Sequence, residues 1–360
     1  MAELLKHQFF TPDAIQHFAE TIFQHHPAFD RETFTTRVFA DGWEAKELKA
    51  RMRHVTICLH ETLSLAYADA LGILKLAAPA IKGFDGLCLP DYVERYGRED
   101  WERSLPALGY FTKFASSEFA IRPFLDQDPD RVMPFLLQWA EDDDQNVRRF
   151  ASEGCRPRLP WSMALPKFKR DPRPILPVLE KLKADESEFV RKSVANNLND
   201  ISKDHPDLLL DLCERWQGQD ARTDWILKHA CRTLLKAGNP RALGLFGHNH
   251  VICATIEEAH LDNTRLSIGE TARFSFTLNL NEPEPANVRL EYAVYFVKAN
   301  RQVSKKVFKI TENVYEPGTY PFSKRHAFVE RTTRKHYPGK HRITIIVNGD
   351  EKAEMTIELQ

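Results

Sequence analysis

The middle of the chain repeats a pair of helices about every 40 residues. Apolar residues at helical spacing predict three such pairs, at 131–140 with 144–154, at 173–183 with 186–199, and at 206–216 with 224–237. One pair cannot bury its apolar face alone, so successive pairs must stack. This repeat therefore predicts an all-α, HEAT-like helical-repeat solenoid.

The second helices of these pairs share a frame. Val147-Arg148-Arg149 matches Val190-Arg191-Lys192 and, more loosely, Leu227-Lys228-His229. Equivalent positions of successive second helices line one concave surface of a solenoid, which predicts a basic stripe there. The alternative is that these basic residues only solvate exposed helices, and the sequence leaves both interpretations open.

Helical spacing continues on the N-terminal side of the repeats. It predicts helices at 14–25, 29–39, 44–70, 71–81, 89–96 and 101–121. The first of these follows Thr11-Pro12-Asp13, which is typical of an N-cap followed by a proline in the first turn.

The pattern changes to alternation after about residue 248. Alternating apolar residues predict strands at 271–280, 288–299, 305–310, 327–332, 342–347 and 353–359. Asn348-Gly349 between two apolar runs is a strong hairpin signal. About seven short strands favour an all-β immunoglobulin-like sandwich at 249–360, after a solenoid at 1–248.

The sandwich carries a basic run from Lys324 to Arg342. Its basic residues are Lys324, Arg325, Arg331, Arg334, Lys335, Lys340 and Arg342, against one acid, Glu330. For a sandwich of this charge we prefer a nucleic-acid clamp to an adhesion module.

Composition narrows the function classes. The 360 residues carry a formal net charge of −1, so DNA binding would need local basic patches rather than a global field. The six cysteines show no paired spacing, so neither a zinc site nor a disulfide framework is indicated, and reduced thiols in the cytoplasm fit best. We expect no signal peptide in MAELLKHQFF and no membrane-spanning run.

One stretch, 145–161, concentrates reactive side chains. It holds four arginines, Glu153 and Trp161 around a helix that must end before Pro157. Arginine forks suit phosphates, and an indole suits a flat or cationic partner. The alternative is that Arg149 and Glu153 form a surface ion pair and that Trp161 caps a core.

These residue types suggest a reaction. No Ser/His/Asp set, phosphate-binding loop or dinucleotide fingerprint is present. The candidate catalytic groups are Glu118, Glu153 and Trp161, and carboxylates beside an indole on a basic groove suggest hydrolysis of an N-glycosidic bond. A carboxylate stabilises the oxocarbenium character of that reaction and orients a water molecule.

Three segments and the sandwich tail carry a resemblance to a known family. SSEFAIRPF at 116–124, VRRFASEGCRPRLPW at 147–161 and FVRKSVANNLNDISKDHP at 189–206 resemble the bacterial AlkC DNA glycosylases. The related AlkD family lacks the sandwich. The resemblance implies monofunctional excision of 3-methylcytosine and 3-methyladenine from duplex DNA without metal or cofactor. We also expect a monomer in the bacterial cytoplasm.

The resemblance also implies roles for residues. It matches Glu118, Glu153 and Trp161 to the catalytic site, although Glu118 could instead be a helix-surface acid. Five arginines and lysines fall in the part of the family pattern that contacts DNA, namely Arg148, Arg149, Arg156, Arg191 and Lys192. The basic segments of the sequence itself add Arg158, Lys228, Lys324, Arg325, Arg334 and Lys335 to the predicted DNA-binding residues.

The sequence leaves two rival functions open. Most HEAT solenoids are scaffolds, so the chain could bind DNA or protein without catalysis. The convergence of Glu153, Arg156 and Trp161 favours an enzyme, because a scaffold does not need it. A protein-recognition sandwich on an unrelated helical platform would show no salt-dependent DNA binding.

Overall fold

The computed structural model describes residues 8–40, 42–248, 251–330 and 334–360. The chain forms two compact units, Met1–His205 with Trp216–Ala230, and Pro206–Arg215 with Cys231–Gln360. Most of the N-terminal segment expected to lack a signal peptide, residues 249–250 beside the expected domain boundary, and Arg331 of the basic run lie outside the described residues.

The first unit is helical. Its helices are α1 (Pro12–His25), α2 (Arg31–Val38), α3 (Leu48–Leu63), α4 (Tyr67–Ala77), α5 (Cys88–Tyr96), α6 (Trp101–Phe111), α7 (Arg122–Gln127), α8 (Pro129–Trp139), α9 (Gln145–Gly154), α10 (Pro166–Arg170), α11 (Leu176–Leu182) and α12 (Glu188–Ile201). Helix α13 (Pro206–Trp216) precedes α14 (Ala221–Ala230), which returns to this unit.

Two predicted helices, at 44–70 and 101–121, end earlier in the structure than the sequence pattern indicated. Helix α3 ends at Leu63 because Ser64 adopts a left-handed conformation with φ 49°, so the predicted 44–70 helix is two helices. Residues 112–121, predicted as the end of one helix, form turns after α6. The Thr11 cap is confirmed, since its side chain accepts a hydrogen bond from the amide of Ala14 at 3.3 Å. None of the described helices is by itself long and apolar enough to cross a membrane. One bent pair, Leu48–Leu63 with Tyr67–Ala80, has the length and composition of a membrane span, and nothing else supports one.

The repeat of helix pairs is confirmed in the contacts of α9 and α12. Arg148 donates from Nη1 to the carbonyl oxygens of Asp142 and Asp143, at 3.0 and 2.8 Å. Arg191 makes the same two bonds to the carbonyls at 185–186, at 2.9 and 2.8 Å. The first basic residue of the shared frame thus holds the loop before its own helix, a role that the sequence interpretations did not include.

The second unit combines helices and strands. Helices α15 (Arg232–Lys236) and α16 (Pro240–Leu245) precede β1 (Ala254–Leu261), β2 (Arg265–Leu266), β3 (Thr271–Leu280), β4 (Ala286–Val297), β5 (Val303–Tyr315), β6 (Gly318–Ala327), β7 (Gly339–Val347) and β8 (Asp350–Leu359). One sheet has the order β1-β3-β6 and the other β2-β8-β7-β4-β5. Their facing apolar residues, Phe274, Phe276, Leu290, Val294, Ile343 and Ile345 among them, form the core of an immunoglobulin-like sandwich.

Two predicted strand positions need correction. The strand predicted at 327–332 shares only Ala327 with β6, which runs over 318–327. Residues 328–330 are not in a strand, and 331–332 lie outside the described residues. The predictions thus missed β1 and most of β6. Both are edge strands of the smaller sheet, and edge strands carry polar residues that weaken an alternating pattern. The Asn348-Gly349 hairpin is confirmed: these residues have φ values of 46° and 92° and join β7 to β8.

The segment before the strands packs on this hairpin. A Cβ on Gly349 would lie 2.9 Å from Cα of Gly238, so two backbones meet there. His248 Nε2 lies 2.9 Å from Glu312 Oε1 on β5. The compact unit therefore includes helical residues before 248, and the predicted boundary at 248/249 marks only the change from helix to strand.

Candidate active site

A cleft of about 490 Å³ opens in the first unit. It is lined by the segment at 83–87, the turn after α6, one side of α9, the loop that follows α9, and the first turn of α12. The charged residues of this lining are Lys113, Glu118, Arg149, Glu153 and Arg156. The aromatic residues are Phe84, Phe114, Phe119, Trp161 and Phe189. The structure thus brings together the three residues predicted to be catalytic.

Glu153 lies in the last turn of α9 and is 5% exposed. Its Oε1 accepts a hydrogen bond from Arg156 at 2.7 Å and lies 3.5 Å from Nη2 of Arg149. Its Oε2 accepts a hydrogen bond from the Ser193 hydroxyl on α12 at 2.6 Å. Both oxygens are therefore engaged, which stabilises a carboxylate in this buried position. The predicted pair of Arg149 and Glu153 exists, but it lines the cleft rather than the outer surface.

Glu118 lies on the turn after α6, so it is not a helix-surface acid. The turn is fixed by Ser117, whose buried hydroxyl donates to the carbonyl of Leu108 at 2.8 Å. Oε2 of Glu118 accepts hydrogen bonds from Ser116, at 2.5 Å, and from Arg149. Among the described residues no hydrogen bond reaches Oε1. Arg149 therefore bridges two carboxylates. Both oxygens of Glu153 have partners, whereas Oε1 of Glu118 is available to a substrate or water molecule.

Arg156 is buried behind Glu153. Its Nε donates to Asp200 on α12 at 2.9 Å, while Nη1 bonds Glu153. Burial alone would lower the pKa of Arg156, but the two carboxylates raise it above its usual value. Its guanidinium is thus committed inside the protein, where it positions Glu153, whereas the sequence assigned it to DNA contact.

Trp161 is half exposed, at 54%, so the interpretation that it caps a core is wrong. Its backbone is left-handed, with φ 63°, a conformation that costs a residue with a Cβ about 1–2 kcal/mol. Arg122, which is fully buried, donates to the carbonyls of Gly154, Arg156 and Met163 at 3.1, 2.9 and 2.6 Å. The loop that carries Trp161 is therefore fixed on both sides of the indole.

Sequence reasoning missed four residues that build this site. They are Arg122, Ser193, Asn197 and Asp200. The run SVANNLND contained a signal, because its spacings of three and four place Ser193, Asn197 and Asp200 on one face of a helix. Polar side chains on a helix face that packs inside the protein need hydrogen-bond partners there, which indicates a buried polar network.

Cys155 adjoins this network but is not a nucleophile. It is fully buried, and burial raises the pKa of its thiol to about 12, partly offset by a hydrogen bond from Asn197. The thiol is therefore protonated at neutral pH. Within the described residues no group of three His, Cys, Asp or Glu side chains is arranged to hold a metal ion.

Three other predicted DNA-binding residues pair with carboxylates of the protein, and they differ in how exposed they are. Arg148 pairs with Asp185 at 2.7 Å in a largely buried position, and Arg158 pairs with Asp204 at 2.6 Å. Lys192 is exposed and pairs with Glu188 in its own helix at 2.8 Å.

The remaining predicted residues lie elsewhere in the fold. Lys228 lies on α14, and Lys324 and Arg325 lie on the edge strand β6. Arg334 stacks over Phe296 at 4.5 Å, and Lys335 is exposed. Contact of any of these with DNA stays a prediction.

Known proteins are similar to both the helical region and the sandwich of this chain. A family described as DNA alkylation repair enzyme matches residues 96–234, and one described as uncharacterised protein YhaZ, C-terminal Ig-like domain, matches 255–360. The uncharacterized protein YhaZ of Bacillus subtilis is 47% identical over 335 residues, 93% of each chain. The Pseudomonas fluorescens alkylpurine DNA glycosylase AlkC, solved bound to DNA containing an abasic site analog, is similar with a TM-score of 0.94, 40% identity and 99% coverage of each chain.

Proposed function

The chain belongs to the family of AlkC DNA glycosylases, and we propose that it excises cationic alkylated bases, 3-methyladenine and 3-methylcytosine, from duplex DNA. The observation that carries this proposal is the cleft in which Arg149 bridges two carboxylates beside a half-exposed indole. That constellation suits N-glycosidic hydrolysis, and a scaffold would have no use for it.

The charge of the lesion decides which groups the reaction needs. When the bond from C1′ to nitrogen breaks, its electron pair neutralises the cationic base, so the base leaves without a general acid. Positive charge then develops on the sugar, and Glu118 and Glu153 can stabilise it. Trp161 offers its ring face to the cationic base.

The hydrogen bonds indicate different roles for the two carboxylates. Glu153 uses both oxygens on Arg149, Arg156 and Ser193, so it acts as a fixed negative charge. Glu118 keeps Oε1 available. We assign to Glu118 the water that attacks C1′ and the proton that this water gives up.

Base release from methylated duplex DNA in the presence of EDTA tests this function. We expect release of 3-methyladenine and 3-methylcytosine at an undiminished rate, leaving an abasic site and an intact backbone. Glu118→Gln serves as the control for contaminating activity. Retention of duplex DNA without base release would instead identify a scaffold.

A further inference from the structure

Lys49 reaches the cleft from a distant part of the chain. It lies on α3, 112 residues before Trp161, yet its Nζ donates a hydrogen bond to the Trp161 carbonyl oxygen at 2.6 Å. The same ammonium lies 4.8 Å from the ring centroid of Phe119, which adjoins Glu118. Lys49 therefore contacts both loops that carry proposed catalytic groups.

The Trp161 peptide needs such an anchor. The backbone of Trp161 is in the left-handed conformation, with φ 63°, and burial does not fix its half-exposed indole. Arg122 holds the loop at Arg156 and Met163 but not at residue 161 itself. Among the described residues, Lys49 provides the hydrogen bond to the carbonyl of Trp161.

The surface beneath the indole comes from the same helix. A small apolar pocket, about 10 Å³, is lined by Leu48, Lys49 and Met52 of α3 together with Phe119 and Trp161. Its lining also includes Phe10, Phe84 and Leu87. The indole thus borders an apolar floor, and Lys49 joins that floor to the tryptophan backbone.

We propose that Lys49 is a positioning residue that acts through Trp161. Its ammonium holds the peptide of Trp161 in the left-handed conformation, and this keeps the indole at the cleft, ready for the cationic base. This inference rests on the proposed function, in which Trp161 faces that base. The competing role for an exposed lysine, direct contact with a DNA phosphate, is an outcome of the test below.

A double-mutant cycle separates the two roles. Lys49→Met keeps the aliphatic stem and removes the donor. Lys46→Met nearby is the matched control, because within the described residues the Lys46 ammonium donates a hydrogen bond only to the carbonyl of Gly42. In single-turnover excision we expect Lys49→Met to be about tenfold slower, roughly 1.4 kcal/mol. Added to Trp161→Ala, it should cause no further loss.

Other results of this cycle would overturn the proposal. Equal losses in the presence and absence of the indole would show that Lys49 does not act through Trp161. A fall of about one unit in the salt slope of binding to undamaged duplex DNA, with an unchanged excision rate, would assign Lys49 to a phosphate.

Fluorescence provides a readout that does not depend on glycosylase activity. The emission of Trp161 is isolated by subtracting the spectrum of Trp161→Phe, and its quenching by acrylamide is measured with and without Lys49→Met. We expect more quenching once the donor is lost, while Lys46→Met leaves quenching unchanged. Equal quenching would overturn the positioning role, whereas an inactive wild-type protein would overturn only the proposed function.

Discussion

The two glutamates of the cleft have different surroundings, and their substitution should separate catalysis from stability. Glu118→Gln should slow single-turnover excision about a hundredfold, close to 3 kcal/mol, with little change in melting temperature, since Oε1 accepts no hydrogen bond from the described part of the chain. Glu153→Gln should slow excision too, but also destabilise the fold by about 1–3 kcal/mol, because Arg156 and Ser193 lose a buried charged partner.

Thermal unfolding and excision rates measured side by side test this difference. Glu188→Gln, an exposed acid on α12, is the control for loss of one negative charge. An active Glu118→Gln variant would remove Glu118 from the mechanism.

Trp161→Ala is expected to weaken the handling of cationic lesions by about 1–2 kcal/mol, the order of a desolvated cation–π contact. Because the side chain is 54% exposed, the melting temperature should change little. The measurement compares excision of a cationic and an uncharged lesion in the same duplex. A loss of equal size for both would mean that the indole does not respond to charge.

Among the elements, the second helices of the repeat use their paired basic residues in two ways. Arg148 on α9 holds two loop carbonyls and pairs with Asp185, so Arg148→Ala should lower the melting temperature. Lys192 on α12 is exposed, so Lys192→Ala should leave stability within about 0.5 kcal/mol. Any effect of Lys192→Ala should appear as a smaller salt slope of DNA binding. An Arg148→Ala protein of normal stability but weakened DNA binding would support the basic-stripe interpretation for Arg148.

The sandwich should lose stability in mild acid. His336 and His341 are buried beside Phe328, and burial lowers the pKa of both below 6.5. The unfolded chain therefore binds protons at a pH where the folded sandwich does not, so stability is full above about 6.5 and falls as the pH decreases below it. Calorimetry at about pH 7.5 and pH 5.5 tests this window. His336→Phe should reduce the drop in melting temperature, and an unchanged drop would locate the sensitive groups elsewhere.

For the whole molecule, the basic run of the sandwich is best tested in the full chain. If Lys324 and Arg325 on β6 contact phosphates, Lys324→Ala and Arg325→Ala should each lower the salt slope by about one unit. Lys352→Ala, outside the run, is the control. Unchanged slopes would assign this edge of the sandwich to another partner. A chain ended at residue 248 is a poor substitute, because Gly238 and His248 pack on strands that would be removed, and we expect it to unfold at lower temperature.

The sequence by itself determined the two architectures, since helical and strand periodicity are local records of which residues are buried. It also located Glu118, Glu153 and Trp161, because the chemistry of a carboxylate or an indole is readable without coordinates. It could not distinguish Arg148 from Arg149. These neighbours lie about 100° apart on one helix, and one faces a loop while the other bridges two carboxylates.

Only the tertiary structure decided which groups meet. Ser193 and Asp200 reach the cleft from 40 and 44 residues after their partners, and Lys49 from 112 residues before Trp161. Edge strands and the turn at Glu118 were misplaced for a related reason. Their conformation is set by contacts with neighbouring elements, and such contacts leave no periodic pattern in the chain.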